Sequence, residues 1–258
     1  MTTGFGTGLW IRRFHPSPGA AGRLVCFPHA GGSAGFWFAL SALLHPRVEV
    51  LAVQYPGRQE RRAEPPAENL GDLADALARV LEPWWDAPPA FLGHSMGAVV
   101  AYETARRLST ATGRGPAALF VSGRRAPSTH REEKLHLADD RELLAEIVRQ
   151  GGTPAALLEE PELVEMILPA LRGDYRAIER YRYHPGPLLE APVTVLTGSE
   201  DPKVTPEEAR AWEDHTTGAT EVLTFTGGHF FPLQHQDRIK ALIEERLLPG
   251  AAPPRPRS

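Results

Sequence analysis

A serine set between glycines, Gly93-His94-Ser95-Met96-Gly97, follows the apolar pair Phe91-Leu92 and opens the helix-forming stretch Ala98-Val99-Val100-Ala101-Tyr102. Between a strand and a helix this spacing makes a nucleophile elbow. The turn is so tight that a side chain on either flank would clash, and its strained backbone projects the serine hydroxyl outward. A serine hydroxyl is a weak nucleophile at neutral pH, so it needs an imidazole to take its proton and a carboxylate to fix the imidazole tautomer. Around such an elbow the acid and then the histidine follow the serine along the chain. Asp201, in Gly198-Ser199-Glu200-Asp201-Pro202 after the apolar run 193–197, is the expected acid, with Glu200 its near rival. Ser122-Gly123-Arg124-Arg125, after the preceding run, offers no carboxylate. His229, in Thr226-Gly227-Gly228-His229-Phe230-Phe231, is the expected base; His235 reads as a helix-start residue and His94 as a packing or hydrogen-bonding neighbour.

Attack by the serine creates an oxyanion, which needs backbone donors already aimed at it. One is the N–H of Met96, the residue after the nucleophile. The other is expected from the loop Phe27-Pro28-His29-Ala30-Gly31-Gly32-Ser33, at Ala30 or, one position away, at His29. That loop alone also fits a plain glycine-rich turn. No His-Glu-x-x-His, paired-cysteine, G-x-G-x-x-G or P-loop spacing occurs, so no metal and no bound cofactor are expected.

Strand ends must deliver these groups to one place. Short apolar runs at 23–27, 48–55, 90–92, 117–122, 193–197 and 221–225 alternate with helix-period segments, the pattern of an α/β fold with a mostly parallel central sheet flanked by helices. Leu70, Leu73, Ala74, Leu77, Val80 and Leu81 share one helical face that Pro83 ends, and 96–108 is a second helix closed near Gly113. Thr205-Pro206-Glu207-Glu208 predicts a helix start with a threonine cap, and 236–248 is the last helix. From 127 to 189 no strand is predicted. Helical periodicity at 141–149 and 162–183, broken by Gly151-Gly152-Thr153-Pro154, suggests a helical lid inserted between core strands. The Pro-rich tail 249–258 is expected to be disordered.

At 258 residues with 42% hydrophobic and 23% charged side chains, the chain fits one α/β domain over 1–248. A formal net charge of −4 gives no broad basic surface for nucleic acid. The single cysteine, Cys26, sits in an apolar run and reads as a buried thiol. Neither a signal-like N-terminus nor an apolar membrane span is evident, so a cytoplasmic location is expected.

Phe27-Pro28-His29-Ala30-Gly31-Gly32, Gln54-Tyr55-Pro56-Gly57-Arg58, the elbow, Gly123-Arg124-Arg125-Ala126-Pro127, Arg172-Gly173-Asp174-Tyr175 and Gly227-Gly228-His229-Phe230-Phe231 together resemble the motif series of type II thioesterases of polyketide and nonribosomal peptide synthesis, within the α/β-hydrolase superfamily. The elbow alone would indicate only an α/β-hydrolase; the first, second and fourth motifs narrow the resemblance. It implies an editing enzyme acting in trans, which removes stalled acyl groups from the phosphopantetheine arms of acyl or peptidyl carrier proteins, and it implies no cofactor of its own. Other readings are an integrated terminal thioesterase, a general acyl-CoA thioesterase or carboxylesterase, and a non-catalytic carrier-protein binding module. The first would normally end a much longer chain, whereas this one begins at its own Met1; the last would lack a member of the Ser95, Asp201, His229 set.

Two further expectations concern substrate delivery. Leu163, Ile167, Leu171 and Tyr175 recur at helical spacing and either line an acyl chamber under the lid or dock that helix on the core. Carrier proteins of the implied family are acidic, so docking is expected at Arg58, Arg61 and Arg62 or at Arg172, Arg176 and Arg180. The alternative is that both clusters are ordinary solvated faces, the second partly neutralised by Asp174 and Glu179.

Overall fold

Leu24, Val25, Cys26 and Phe27 are all buried, as a strand covered on both faces requires. They belong to β2 (Gly22–Phe27), near the centre of a sheet built with β1 (Ile11–Arg12), β3 (Val48–Val53), β4 (Ala90–His94), β5 (Leu119–Ser122), β6 (Val193–Gly198) and β7 (Thr220–Phe225). The computed structural model describes residues 7–152 and 160–248; the tail 249–258 and part of the 151–154 break lie outside them. The strand order is β1-β3-β2-β4-β5-β6-β7. Only the β1–β3 pair is antiparallel.

The helices are α1 (Thr7–Trp10), α2 (Phe38–Leu44), α3 (Leu70–Leu81), α4 (Met96–Thr112), α5 (Asp140–Gln150), α6 (Pro161–Arg180), α7 (Pro206–Arg210) and α8 (Gln236–Leu247). Alternate strand residues feed two apolar layers, because successive side chains point to opposite faces. Val25, Phe27, Leu51, Phe91 and Val121 pack with Leu73 and Leu77 of α3 and Val99 of α4. Leu24, Cys26, Val50, Leu92 and Phe120 pack with Leu40 and Leu44 of α2 and Ile239 and Ile243 of α8. Each such side chain stabilises the fold by roughly 1.5–3 kcal/mol. Cys26 lies in the second layer, its thiol pKa pushed up by burial.

Three local differences from the sequence reading have simple causes. β1 was not predicted, since two residues carry no periodicity; it is fixed by its ladder to β3 and by Gln54 N–H donating to Trp10 O at 2.8 Å. β3 ends at Val53 instead of Tyr55. α6 begins at Pro161, a proline at the first helical position, stops at Arg180 short of Tyr183, and carries Pro169 in its interior. The Thr205 cap is complete: its hydroxyl accepts from Glu208 N–H, while the Glu208 carboxylate accepts from Thr205 N–H.

The elbow sits where β4 turns into α4. Ser95 has φ +54° and ψ −119°, a strained backbone that a non-glycine residue adopts only when its surroundings enforce it. Its N–H donates to Ser122 O at 2.8 Å. A Cβ added to Gly93 would lie 2.2 Å from Gly97 O, and one added to Gly97 would lie 2.2 Å from Phe27 O. Both are backbone collisions that no rotamer change relieves. Gly97→Ala should therefore destabilise the protein by at least the ~1–3 kcal/mol of an overpacked core, read as a lower denaturant midpoint; an unchanged midpoint would show that β2 and α4 can part without loss.

Candidate active site

β6 and β7 end side by side, and their following loops are tied together. Ser199 N–H donates to Phe225 O at 2.7 Å and Glu200 N–H to Gly227 O at 2.9 Å. Gly198 permits this approach, since a Cβ there would meet Gly228 O at 2.5 Å, and Gly227 takes φ +111° to turn the second loop back. The result places His229 Nδ1 2.8 Å from Asp201 Oδ2, with both side chains buried. Asp201 Oδ1 accepts from Lys203 N–H at 2.9 Å, so the carboxylate is held at both oxygens. Glu200, the rival, is exposed. With Nδ1–H donated to Asp201, Nε2 of His229 is the nitrogen left to accept a proton.

Ser95 and His229 open onto one chamber of about 750 Å³. Leu163, Ile167, Leu171 and Tyr175 of α6 line it; Leu171 is at the same time buried against the body of the protein, so the two readings of the stripe overlap at that residue. His29, Ala30 and Gly31 of the loop after β2, and Met96 of the elbow, also border the chamber. Sequence reasoning missed a polar wall formed by Arg124, Glu133, Glu146 and Lys203. Lys203 Nζ lies 2.7 Å from Glu146, and Arg125 bonds Glu133. Lys203, Arg149 and Gln150 hold the Glu146 carboxyl down to about 2 despite its partial burial. The motif Gly123-Arg124-Arg125 was visible in the sequence, but nothing local to it signalled a chamber wall.

The arginines divide differently from the docking expectation. Arg58 and Arg61 are 7% and 4% exposed, so neither forms part of an open basic surface. Arg58 makes a two-pronged ion pair with Asp174 at 2.6 and 2.8 Å. Arg61 bonds Glu64 and Gln54 O and lies over the Trp10 ring, 3.9 Å from its centre. Arg172 donates to His136 O and Ala138 O and pairs with Asp140; Arg176 pairs with Glu68. Arg62 and Arg180 are exposed. Asp174 and Glu179 pair with none of the α6 arginines, because Asp174 serves Arg58 and Glu179 accepts from the Leu135 and His136 N–H groups and meets the His136 ring.

A mostly parallel sheet with a glycine-flanked serine elbow after β4, an aspartate after β6 and a histidine after β7 is the architecture of an α/β-hydrolase. The thioesterase-domain family model matches residues 22–247, and the chain belongs to the thioesterase family as a serine hydrolase. It is 51% identical over 245 residues to a probable cadicidin biosynthesis thioesterase of Streptomyces griseus, covering 95% of this chain and 68% of that one. Over 243 residues it is 49% identical to the thioesterase PikA5 of Streptomyces venezuelae, covering 94% and 86% of the two chains. Among solved structures it is similar to the type II thioesterase BorB of the borrelidin biosynthetic cluster, with a TM-score of 0.87 and 52% identity over 93% of this chain and 98% of BorB. Among the described residues no group of three or more His, Cys, Asp or Glu side chains could hold a metal ion, and no helix is long and apolar enough to cross a membrane.

Neutral histidines surround the site. His94 Nδ1 lies 3.0 Å from Ser122 Oγ, and its ring stacks on Phe36 and stands 5.0 Å from His229. His29 packs edge-on against Phe36 and Phe230. Burial, then the neighbouring His229 and Arg58, lowers His29 from 6.5 to about 3, and burial likewise takes His94 well below its ordinary value. Unfolding frees both to protonate near pH 6.5, so the unfolded chain binds more protons between that pH and the folded values. The cost of keeping them uncharged is absent above pH 6.5 and grows as pH falls, by up to ~1.4 kcal/mol per histidine per pH unit. Denaturant midpoints should therefore be level from pH 8 to 7 and drop below 6.5, with a shallower drop in His29→Leu. An identical slope in that variant would show that His29 is not held neutral.

Proposed function

We propose that this chain is a type II thioesterase that hydrolyses acyl groups from the phosphopantetheine arms of acyl or peptidyl carrier proteins, acting in trans in polyketide or nonribosomal peptide synthesis. The observation that carries the chemistry is the Asp201–His229 pair facing the same chamber as a serine held at φ +54°. Likeness to thioesterases named for biosynthetic clusters supports the choice of substrate. The cytoplasmic site of action belongs to the same proposal, since carrier proteins would present the substrate there.

Ser95 Oγ attacks the thioester carbonyl carbon while His229 Nε2 takes its proton. The negative charge that forms on the carbonyl oxygen faces the N–H groups of Met96 and Ala30, which sit at a helix N-terminus and on the facing loop. Collapse breaks the C–S bond, and the thiol leaves with the proton from His229. Water then attacks the acyl-serine, giving a proton to His229, which returns it to Ser95 Oγ as the acid departs. Asp201 stays ionised and stabilises the imidazolium in both halves. The helical insertion 127–189 acts as a lid on a single domain, with Leu163, Ile167, Leu171 and Tyr175 against the acyl chain. Docking falls to the exposed Arg62 and Arg180, and Arg176, paired with Glu68, ties α6 to the segment between β3 and α3.

Ser95→Ala is expected to abolish hydrolysis with the fold intact, and Asp201→Asn to lower kcat by about 10⁴-fold through the wrong imidazole tautomer. Greater damage from Glu200→Gln than from Asp201→Asn would move the acid by one residue.

The substrate class is tested by offering one acyl series on a carrier protein, on coenzyme A and as oxygen esters. The carrier-bound thioester should be hydrolysed with the highest kcat/KM. Arg62→Glu with Arg180→Glu should lower that value alone, most at low salt, and Leu163→Trp should shift the profile toward shorter chains. Equal rates on carrier protein and coenzyme A, unaffected by charge reversal, would favour a general acyl-CoA thioesterase.

A further inference from the structure

Two motifs noted in the sequence, Gln54-Tyr55-Pro56-Gly57-Arg58 and Arg172-Gly173-Asp174-Tyr175, take no part in the chemistry, yet they meet at the loop that carries Ala30. Within 28–33 the loop holds itself by one turn bond, Gly32 N–H to His29 O at 2.9 Å. Gly31 takes φ +74°, and two successive glycines give the segment little preference of its own. Its shape is imposed from outside. Asp174 Oδ2 accepts from Gly31 N–H at 2.8 Å, and Arg58 Nη1 donates to Gly32 O at 2.9 Å. Tyr55 OH donates to Pro28 O at 3.2 Å, and Ala34 N–H donates to Gln54 Oε1 at 3.0 Å. Leu171 of α6 closes over Gly31, where an added Cβ would lie 2.6 Å from its Cδ1.

Arg58 and Asp174 are almost fully buried, with side-chain exposures of 6% and 1%. Burying an ion pair is a poor route to stability, because desolvation offsets the attraction and an apolar pair of like volume often does as well. What the pair adds is geometry. The planar guanidinium fixes both carboxylate oxygens at once, and each partner spends a remaining hydrogen-bonding position on the backbone of one of the two residues that follow Ala30, Asp174 on Gly31 N–H and Arg58 on Gly32 O. An oxyanion donor acts only if it is aimed before the charge develops, and a glycine loop cannot supply that aim unaided.

We propose that Arg58 and Asp174 are positioning residues for the oxyanion hole. Their ion pair clamps Gly31 and Gly32, holds the Ala30 N–H toward the thioester carbonyl, and thereby joins α6 of the inserted segment to the chemical step. The proposal rests on the serine-hydrolase reading given above.

The test uses Asp174→Asn and Arg58→Lys in the full-length protein. Arg58→Lys retains the positive charge against Asp174 and loses the two-pronged geometry, so it decides the matter should Asp174→Asn fail to fold. With one acyl-N-acetylcysteamine thioester, either variant should lose at least about tenfold in kcat with little change in KM, part of the 10²–10³-fold that removal of a whole oxyanion donor entails. Two inhibitors separate aim from general integrity: a trifluoromethyl ketone of the same acyl chain, which forms a tetrahedral oxyanion on Ser95, and the corresponding thioether, which binds without reacting. Affinity for the ketone should fall in step with kcat while the thioether binds as to wild type. Wild-type kcat in the folded variants, or parallel loss of both inhibitors, overturns the clamp. Turnover that survives Ser95→Ala overturns the nucleophile assignment and the clamp together, whereas a dead Ser95→Ala beside fully active clamp variants removes the clamp alone.

Discussion

The site depends on how near the first turn of α4 comes to the end of β2. With only hydrogen at the Gly97 α-carbon, the elbow settles against Phe27 O and Pro28 O, and Ser95 is brought beside the loop that carries Ala30. Any bulk there would push Ser95 away from the loop that carries Ala30. The same contact gives Ser95 its unusual backbone, since β4, which pairs with β2, and α4, which lies against it, leave the connecting residue no relaxed conformation. Strain of this kind is worth about 1–3 kcal/mol and is sustained by the apolar layers on both faces of the sheet.

Around that contact the protein places groups that oppose stability. Two neutral histidines, His94 buried and His29 half-buried at the chamber edge, lie beside His229, and His29 Nδ1 and His94 Nε2 have no hydrogen-bond partner among the described residues. Of the three, His229 is the imidazole that is paired with a carboxylate. The aromatic rings of Phe36 and Phe230 add an apolar surround, in which the polarity of a few aimed N–H groups counts for more than it would in water.

Ser95, Asp201 and His229 were legible in the sequence because each sits in a short motif whose glycines or flanking apolar run declare a strand end. The alternation of buried strands and covering helices was legible for the same reason, apart from the two-residue β1 and the short helices α1 and α2. Burial of charge was not. Arg58 looks like a solvated arginine until Asp174, 116 positions away, is brought against it, and no local pattern distinguishes it from the exposed Arg62. The polar chamber wall was hidden likewise, since Lys203 finds Glu146 only when the segment after β6 and α5 come together. Helical periodicity identified the face of α6 but could not say whether that face meets the core or a cavity, and at Leu171 it does both.

The two helices of the insertion are held very differently. α6 is fastened through Asp174 and through Gly173, which fits against Pro66 and Ala67, while α5 buries only Leu143 completely and reaches the chamber through Glu146, Ile147 and Gln150. The cavity thus has one wall tied to the loop that carries Ala30 and another that rests on a few side chains. Substitutions on α5 can reshape what fits inside while the bond-breaking apparatus stays as it is, so a lineage of such enzymes can change its diet without relearning its chemistry.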